Sequence, residues 1–252
     1  MDARRPHVAQ GGSILNAVSK SQVDQLGERI RKNGITEADL QLLDFYRRSF
    51  ARAYDHVVTT IRNDLGFEPT GRPTKSTTSI ADKLARESLR LSQMQDIAGC
   101  RIVVADIIEQ DALVDRLTEV FETKSLFDRR ESSSHGYRAV HVVVRHMDMP
   151  IEIQIRTALQ HLWAELSEKL SDLVEPAVKY GGGPEALVEF LLSASERGRL
   201  LESFERRLDQ RKDWENQREE IADLAKLIEQ TKRELADLLQ DMIGKAHLWK
   251  RV

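Results

Sequence analysis

The chain has 252 residues, of which 40% are apolar and 31% are charged, and its formal net charge is −3 at pH 7. This apolar content excludes a disordered chain and is enough for one sizeable core with surface helices of mixed charge. The small net charge gives no global attraction to nucleic acid or anionic membrane, so a polyanionic ligand must meet a local basic patch. We therefore expect one catalytic domain with helical extensions.

The cysteine content and the N-terminus indicate the compartment. Cys100 is the single cysteine, so the sequence offers neither an internal disulfide nor a cysteine zinc cluster. No run of eighteen apolar residues is present, and no apolar segment follows Arg4 and Arg5. These features predict a cytoplasmic protein without a membrane partner.

The N-terminal quarter of the chain is predicted to be helical after a flexible tail at 1–14. N-terminal helices are expected over 15–66, and their clearest start signal is Thr36 with Asp39 three positions later. Apolar residues then recur at three- and four-residue steps. We expect one long helix from this point that ends at Gly66.

The central region, residues 67–180, alternates between strand and helix patterns. Ser79 and Asp82 have the spacing of a capping box and predict the start of a helix after a hydroxyl-rich loop. Strand patterns occupy 97–106, 136–144 and 150–156, and helical patterns occupy 109–123 and 157–170. The order predicts an α/β (α+β) fold in which helices flank a small mixed sheet.

Beyond a Tyr-Gly-Gly-Gly-Pro break at 180–184, a charged helical extension is predicted over 184–252. Its apolar positions follow an interrupted heptad: Ile221, Leu224, Ile228, Leu235, Leu238 and Met242. So narrow an apolar stripe must be buried either against the rest of the chain or against a second copy of it. Two arrangements remain open, a hairpin packed on its own domain and a homo-oligomer formed through these helices.

The strand pattern at 150–156 carries an informative polar face. Because side chains alternate along a strand, three isoleucines share one face while Glu152, Gln154 and Arg156 share the other. Tyr137 and His141 likewise share one side of the neighbouring strand pattern, where a ring can stack on a base and an imidazole can bind a phosphate or ribose. Each pattern alone is also compatible with ordinary packing.

Basic and acidic residues nearby suit a phosphorylated ligand. A loop with Arg72 and Lys75 leads into a helix, and such a loop can cradle a polyphosphate on helix N-terminal amides, although the Walker A spacing is absent. Further polar residues, Ser79, Lys83 and Arg86, follow on one helical face. Asp96 could bind a cation such as Mg²⁺, with Glu152 as the second carboxylate.

Four blocks occur in order along the sequence: an Arg/Lys loop into Ser-Ile-x-x-Lys-Leu, then Asp-Ile-Ala-Gly-x-Arg, Gly-Tyr-Arg-x-x-His and Glu-Ile-Gln-Ile-Arg-Thr. Together they resemble the synthetase domain of the RelA/SpoT alarmone family over roughly residues 65–175. The resemblance implies a nucleotidyltransferase-like domain that moves a diphosphate from ATP to the 3′-hydroxyl of GTP or GDP. It extends to the small single-domain synthetases, which often form oligomers.

The resemblance also implies residue roles. Asp96 and Glu152 would bind Mg²⁺, and Glu152 would be the base for the acceptor hydroxyl. The acceptor nucleotide would contact Tyr137, His141, Gln154 and His161. ATP would contact Arg72, Lys75, Ser79, Lys83, Arg86 and Arg101. Relatives commonly have Arg-x-Lys in the loop, whereas this chain has one more residue between Arg72 and Lys75. The role implied for Arg72 is the one that this difference affects.

Several alternatives stay open. A toxic relative of the same family could place the diphosphate on the 3′ end of tRNA or make adenosine alarmones. A tRNA acceptor would need a basic surface leading to Tyr137, and the basic residues between 197 and 212 are diluted by acidic neighbours such as Glu202. An inactive regulatory module would have lost groups such as Asp96 or Glu152, which are present.

No histidine and aspartate pair of the family's hydrolase domain is evident upstream, so we expect a synthetase without hydrolase activity.

Overall fold

A computed structural model describes residues 18–32, 34–131, 133–211 and 218–251. The tail predicted at 1–14 lies outside these ranges. Within them, the predicted class is confirmed, because helices flank a five-stranded mixed sheet and a helical extension follows.

The helices are α1 Lys20–Arg31, α2 Glu37–Arg48, α3 Ala51–Thr60, α4 Thr77–Arg86, α5 Ile107–Val120, α6 Ala158–Leu173, α7 Glu185–Asp209 and α8 Arg218–Lys245. The strands are β1 Thr70–Arg72, β2 Gly99–Val104, β3 Glu122–Asp128, β4 Val140–His146 and β5 Met149–Thr157. A π-helical segment at Ile61–Leu65 continues α3, and short 3₁₀ turns occur at Leu91–Gln93, Val178–Tyr180 and Ala246–Arg251. Among the described helices, none has the length and apolarity needed to cross a membrane.

The sheet has the strand order β1-β2-β5-β4-β3. β5 is central, parallel to β2 and antiparallel to β4. Ile151, Ile153 and Ile155 are completely buried on one face of β5, as the alternation predicts. Burying each such side chain contributes roughly 1.5–3 kcal/mol, so this face anchors the strand and leaves the polar side chains on the opposite face.

The structure adds two strands that the sequence patterns missed. β1 is a three-residue strand within the predicted loop, and β3 is an edge strand with mostly exposed side chains. The helix predicted over 109–123 is therefore wrong at its end, since α5 stops at Val120 and Phe121 is extended. β3 follows backbone pairing with β4 rather than an apolar alternation, so its sequence carries little strand signal.

The long helix predicted from Thr36 is interrupted. The capping box is confirmed, because the Asp39 amide donates to Thr36 Oγ1 at 3.2 Å and Asp39 Oδ2 accepts from the Thr36 amide at 3.1 Å. The chain then breaks between α2 and α3, where Ser49 Oγ donates to the Tyr46 carbonyl oxygen at 2.6 Å. Such side-chain bonds compete with helical ones. Gly66 ends the second segment with φ 78°, as expected.

The capping box predicted at Ser79 is wrong. α4 begins at Thr77, and Ser76 is its N-cap residue, with Oγ accepting from the Ser79 amide at 3.2 Å. The hydroxyl-rich loop offers the same capping chemistry three residues earlier, and the helix uses it. Ser79 consequently lies inside the first turn of the helix.

The C-terminal helices pack on the same chain, as the hairpin arrangement predicts. α7 and α8 cover α6 and form a second apolar core around Trp163, Leu191 and Leu239.

The predicted heptad in α8 is partly wrong, because Leu224 and Leu238 are exposed. A helix against a globular domain follows a 3.6-residue period rather than a coiled-coil seam. Removing the residues after Gly183 would uncover the second apolar core, so a chain truncated there would lose apolar packing of its own.

Gly99→Ala should destabilise the protein, because a Cβ there would lie 2.6 Å from the Glu152 carbonyl oxygen of the neighbouring strand. Overpacking of this kind costs about 1–3 kcal/mol. The matched control is Gly244→Ala in α8, where a Cβ meets nothing within 4 Å and helix propensity improves. Thermal unfolding followed by circular dichroism should show a lower Tm only for the first variant. Equal Tm values would contradict the close approach of β2 to β5.

Candidate active site

The polar face of β2 and β5 opens into a cleft of about 850 Å³. β1 and α4 bound one side of the cleft, and the end of α6 with the following turn bounds the other. Most of the predicted site residues line it: Arg72, Ser79, Arg86, Asp96, Arg101, Tyr137, Glu152 and Gln154. The fold therefore brings residues from sequence positions 72 to 154 to one cavity, although their individual roles stay predictions.

Asp96 lies between two lysines at one end of this cleft. Lys75 Nζ is 2.7 Å from Oδ2, and Lys83 Nζ is 2.9 Å from Oδ1. Burial would raise the pKa of Asp96, but the two ammonium groups outweigh it and hold that pKa below its usual range. Neither lysine lines the cleft directly, so both contact its wall through the carboxylate.

A closed ring of hydrogen bonds joins five side chains around Glu152. His141 bridges Glu152 and Tyr137, with Nδ1 2.9 Å from Glu152 Oε1 and Nε2 2.8 Å from the Tyr137 hydroxyl. Arg156 Nη2 is 3.0 Å from that hydroxyl and 3.0 Å from Gln154 Oε1. Gln154 Nε2 lies 2.8 Å from Glu152 Oε2 and closes the ring.

The ring has a consistent direction of donation. Arg156 Nη2 carries two hydrogens and donates one into each arm, and both arms end on the oxygens of Glu152. We assign the Nδ1 hydrogen of His141 to the bond with Glu152 and the hydroxyl hydrogen of Tyr137 to the bond with Nε2, so that this arm also runs from Arg156 to Glu152. Burial would raise the pKa of Glu152, but the His141 and Gln154 contacts outweigh it and lower that pKa. Glu152 is therefore ionised at neutral pH.

Arg156 is a site residue to which the sequence analysis gave no role. It is 3% exposed, and its Nε and Nη1 atoms have no hydrogen-bond partner among the described residues. Burial and the charge of Arg156 together lower the pKa of Arg101, and burial with both arginines lowers that of His161. His161 does not line the cleft. The half-buried Arg101 and the buried Arg156 thus provide positive charge and nitrogen donors without partners among the described residues. Such a group suits an anionic ligand such as phosphate.

The turn before α7 also contributes to the cleft. The Arg86 guanidinium lies 4.4 Å from the centroid of the Tyr180 ring and donates to its hydroxyl. Lys179 lines the cleft beside it, as do Glu168 and Asp172 of α6. These residues lie in segments that the sequence showed only as a helix and a glycine-rich break. No local pattern indicates that they return to α4.

The two carboxylates suit a divalent cation that binds together with a substrate. Asp96 and Glu152 both line the cleft, and the charge of Asp96 acts to raise the pKa of Glu152. Within the described ranges, no cluster of three or more His, Cys, Asp and Glu side chains could hold a metal ion alone. Mg²⁺ is commonly held by one or two carboxylates plus substrate phosphates. The donor set fits that arrangement.

Comparison with known proteins agrees with this architecture. A family described as the region found in RelA / SpoT proteins matches residues 71–171. The GTP pyrophosphokinase YjbM of Bacillus subtilis is 32% identical over 149 residues, which are 53% of this chain and 67% of that protein. The uncharacterized protein Mb1401 of Mycobacterium bovis is 38% identical over 129 residues, or 50% of this chain and 47% of that protein. The chain thus spans about half the length of this relative.

A solved structure extends the similarity to three dimensions. Small alarmone synthetase 1 from Bacillus subtilis, bound to its product pppGpp, has a TM-score of 0.50 and 28% identity, covering 62% of this chain and 93% of that chain. These matches confirm the predicted resemblance. The chain belongs to the RelA/SpoT family, among its small synthetases.

His141→Phe should raise the pKa of Glu152, because burial then meets opposition mainly from Gln154. In the native protein, the lowered pKa contributes stability above the unfolded value of about 4.3 that is lost as pH falls through the folded pKa. In His141→Phe, the raised pKa of Glu152 costs stability at neutral pH. The difference in unfolding free energy between the native protein and the variant therefore narrows as the pH falls. Carboxyl NMR titration measures the shift directly.

Asp39 is the internal control in this titration, because its carboxylate binds Arg29 and Thr36 at the start of α2 and its pKa has no contribution from Glu152 or His141. Its pKa should not move. An unchanged pKa for Glu152 in His141→Phe would contradict the ring as the cause of its ionisation.

Proposed function

We propose that the chain is an ATP-dependent pyrophosphokinase that transfers a diphosphate from ATP to the 3′-hydroxyl of GTP or GDP. The observation that carries this proposal is the arrangement of the two carboxylates in one cleft. Asp96 is bound by lysines from the loop and α4, while Glu152 is tied through His141 to an aromatic side chain. A phosphate-binding end and a base-stacking end therefore share one cavity.

On the donor side, ATP would lie over α4 and the start of β2. Lys75 and Lys83 provide positive charge beside Asp96, and the Arg86 guanidinium lies against Tyr180 at the rim. The other predicted ATP contacts are Arg72, Ser79 and Arg101, all of which line the cleft. Phosphoryl-type transfer depends mainly on in-line positioning and on positive charge around the moving oxygens. This side of the cleft supplies that charge.

On the acceptor side, Tyr137 would stack on the base, with His141, Gln154 and His161 as further contacts. The phenolic oxygen of Tyr137 is fixed by His141 and Arg156, so the orientation of its ring is set before a nucleotide binds. The lowered pKa of Glu152 keeps it ionised, which is the form that can accept the proton of the 3′-hydroxyl. The unused donors of Arg156 would add an anion contact.

Mg²⁺ would be held by Asp96 and Glu152 with the phosphates of ATP. Bound there, it would neutralise charge that develops on the transferred group. Lys75 and Lys83 bind Asp96 in this structure, and both amines can turn toward the phosphates when a cation takes the carboxylate.

A nucleotide acceptor is favoured over tRNA. Arg199 pairs with Glu196 at 2.7 Å, and Arg206 pairs with Asp111 at 3.0 Å. Arginines neutralised in this way make a poor track for a nucleic-acid backbone. The homo-oligomer through the C-terminal helices also stays a prediction, and the exposed Leu224, Leu227 and Leu238 of α8 are its candidate contacts.

The test is incubation with ATP labelled at its γ-phosphate and, in turn, GTP, GDP, ATP or bulk tRNA as acceptor. We expect label on GTP or GDP, and Glu152→Gln should abolish it without loss of fold because the substitution preserves volume but removes the charge. Glu122→Gln on the exposed edge strand β3 is the matched control and should retain activity. Label on tRNA alone, or on no acceptor, would overturn the proposal.

A further inference from the structure

A carboxylate from the C-terminal extension lies directly behind the acceptor side of the cleft. Glu202 is on α7, outside the matched family region 71–171, and is 2% exposed. It accepts hydrogen bonds from Thr157 Oγ1 at 2.7 Å and from Gln160 Nε2 at 3.1 Å. Its other oxygen is paired with the Arg138 guanidinium. One buried side chain thus joins the loop before β4, the end of β5 and the start of α6.

Each partner of Glu202 is the immediate chain neighbour of a residue on the acceptor side. Arg138 follows Tyr137, Thr157 follows Arg156, and Gln160 precedes His161. At the end of β5, adjacent side chains point to opposite faces of the strand, so a group that fixes Thr157 from behind also fixes Arg156 in front. Glu202 therefore acts on the front of the wall without touching the cleft, which it does not line.

The loop that carries Tyr137 needs such support. His135 and Gly136 have φ angles of 53° and 86°, a left-handed conformation that is uncommon for residues other than glycine. Ser195 of α7 donates to the Gly136 carbonyl oxygen at 2.6 Å. A Cβ at Gly136 would lie 2.8 Å from the Trp163 ring, so the loop is closely packed against α6. α7 consequently fixes this loop at two points, the second being the Arg138 pair.

The contacts around Glu202 are also energetically demanding. A buried carboxylate is tolerated only when its oxygens are fully hydrogen-bonded, and Glu202 meets this with three donor side chains. Removing one partner of a buried ion pair leaves an uncompensated charge and is strongly destabilising locally. A change at Glu202 should therefore move the loop and the end of β5 together.

We propose that Glu202 is a positioning residue for the nucleotide acceptor, with Ser195 as a second anchor, and that it acts through Tyr137, Arg156 and His161. This inference rests on the proposed function of the cleft. It assigns to Glu202 a role in acceptor affinity and none in ATP affinity, because its contacts are with Arg138, Thr157 and Gln160 and none of them reaches β1 or α4. Glu202 touches neither substrate.

The experiment compares Glu202→Gln with Glu205→Gln in the full chain. Glu205 lies one turn further along α7 and pairs with Lys232 of α8, with both side chains mostly buried and no contact to the acceptor wall. For Glu202→Gln we expect the KM for GTP to rise on the order of tenfold, since small misplacements of a binding wall carry such effects. Affinity for a non-hydrolysable ATP analogue, measured by calorimetry, should equal that of the native protein.

Two further variants make the outcome decisive. Tyr137→Ala is the reference for loss of the acceptor wall, and Glu202→Gln should reproduce its KM increase in part. Ser195→Ala removes only the bond to the Gly136 carbonyl oxygen and should also raise the KM for GTP. This variant replaces Glu202→Gln as the test if circular dichroism shows that Glu202→Gln does not fold. Glu205→Gln should leave both substrate parameters unchanged.

The results separate the two proposals. If the native chain labels no nucleotide, the proposed function fails and the role of Glu202 falls with it. If the native chain is active but Glu202→Gln matches Glu205→Gln, or if ATP affinity falls as much as acceptor affinity, the positioning role alone is overturned. The same holds if Glu202→Gln is unfolded and Ser195→Ala leaves the KM for GTP unchanged.

Discussion

Glu152 is a carboxylate on the central strand of a sheet, and keeping it ionised there requires compensation from nearby donors. The ring of hydrogen bonds provides this through two arms, one over Tyr137 and His141 and the other over Gln154. Both arms begin at Arg156, so a buried guanidinium is coupled to a buried carboxylate without direct contact. Because hydrogen-bonded chains polarise one another in a low-dielectric interior, the arrangement orients every member.

The same strands separate this ring from a second polar network behind it. Tyr137 and Arg156 face the cleft, while their neighbours Arg138 and Thr157 bind Glu202 on the other side. This wall of the cleft is therefore fixed on both faces, in front by the ring and behind by α7. Asp96, by contrast, is held by Lys75 and Lys83 from α4 and its preceding loop. This asymmetry leads us to connect the C-terminal extension with the acceptor.

Local periodicity predicted much of this site. Alternation alone placed Glu152 and Gln154 with Arg156 on one face and Tyr137 with His141 on another, and the structure brings both faces together. It could not reveal that Arg156 is the donor of the ring, because that depends on hydrogen bonds across two strands. The roles of the basic residues come from the family resemblance and not from their periodicity.

Long-range features were the ones that sequence reasoning missed. The sequence suggests that Glu202 is a charge that dilutes neighbouring arginines, yet it is buried against residues more than forty positions away. Tyr180 lies in a glycine-rich break and packs on Arg86 from a distant helix. β3 lacks an alternation of apolar and polar residues, because most of its side chains are exposed. In each case the determining partner is remote in sequence, so no window along the chain contains the signal.

The most direct measurement of the central claim is the acceptor kcat/KM of Arg156→Met, which removes every donor and the charge while keeping an unbranched side chain. The account predicts a loss on the order of 100-fold with unchanged affinity for an ATP analogue, because both arms to Glu152 lose their origin. Arg156→Lys, which keeps the charge, should lose less. An acceptor kcat/KM for Arg156→Met equal to that of the native chain would contradict the account.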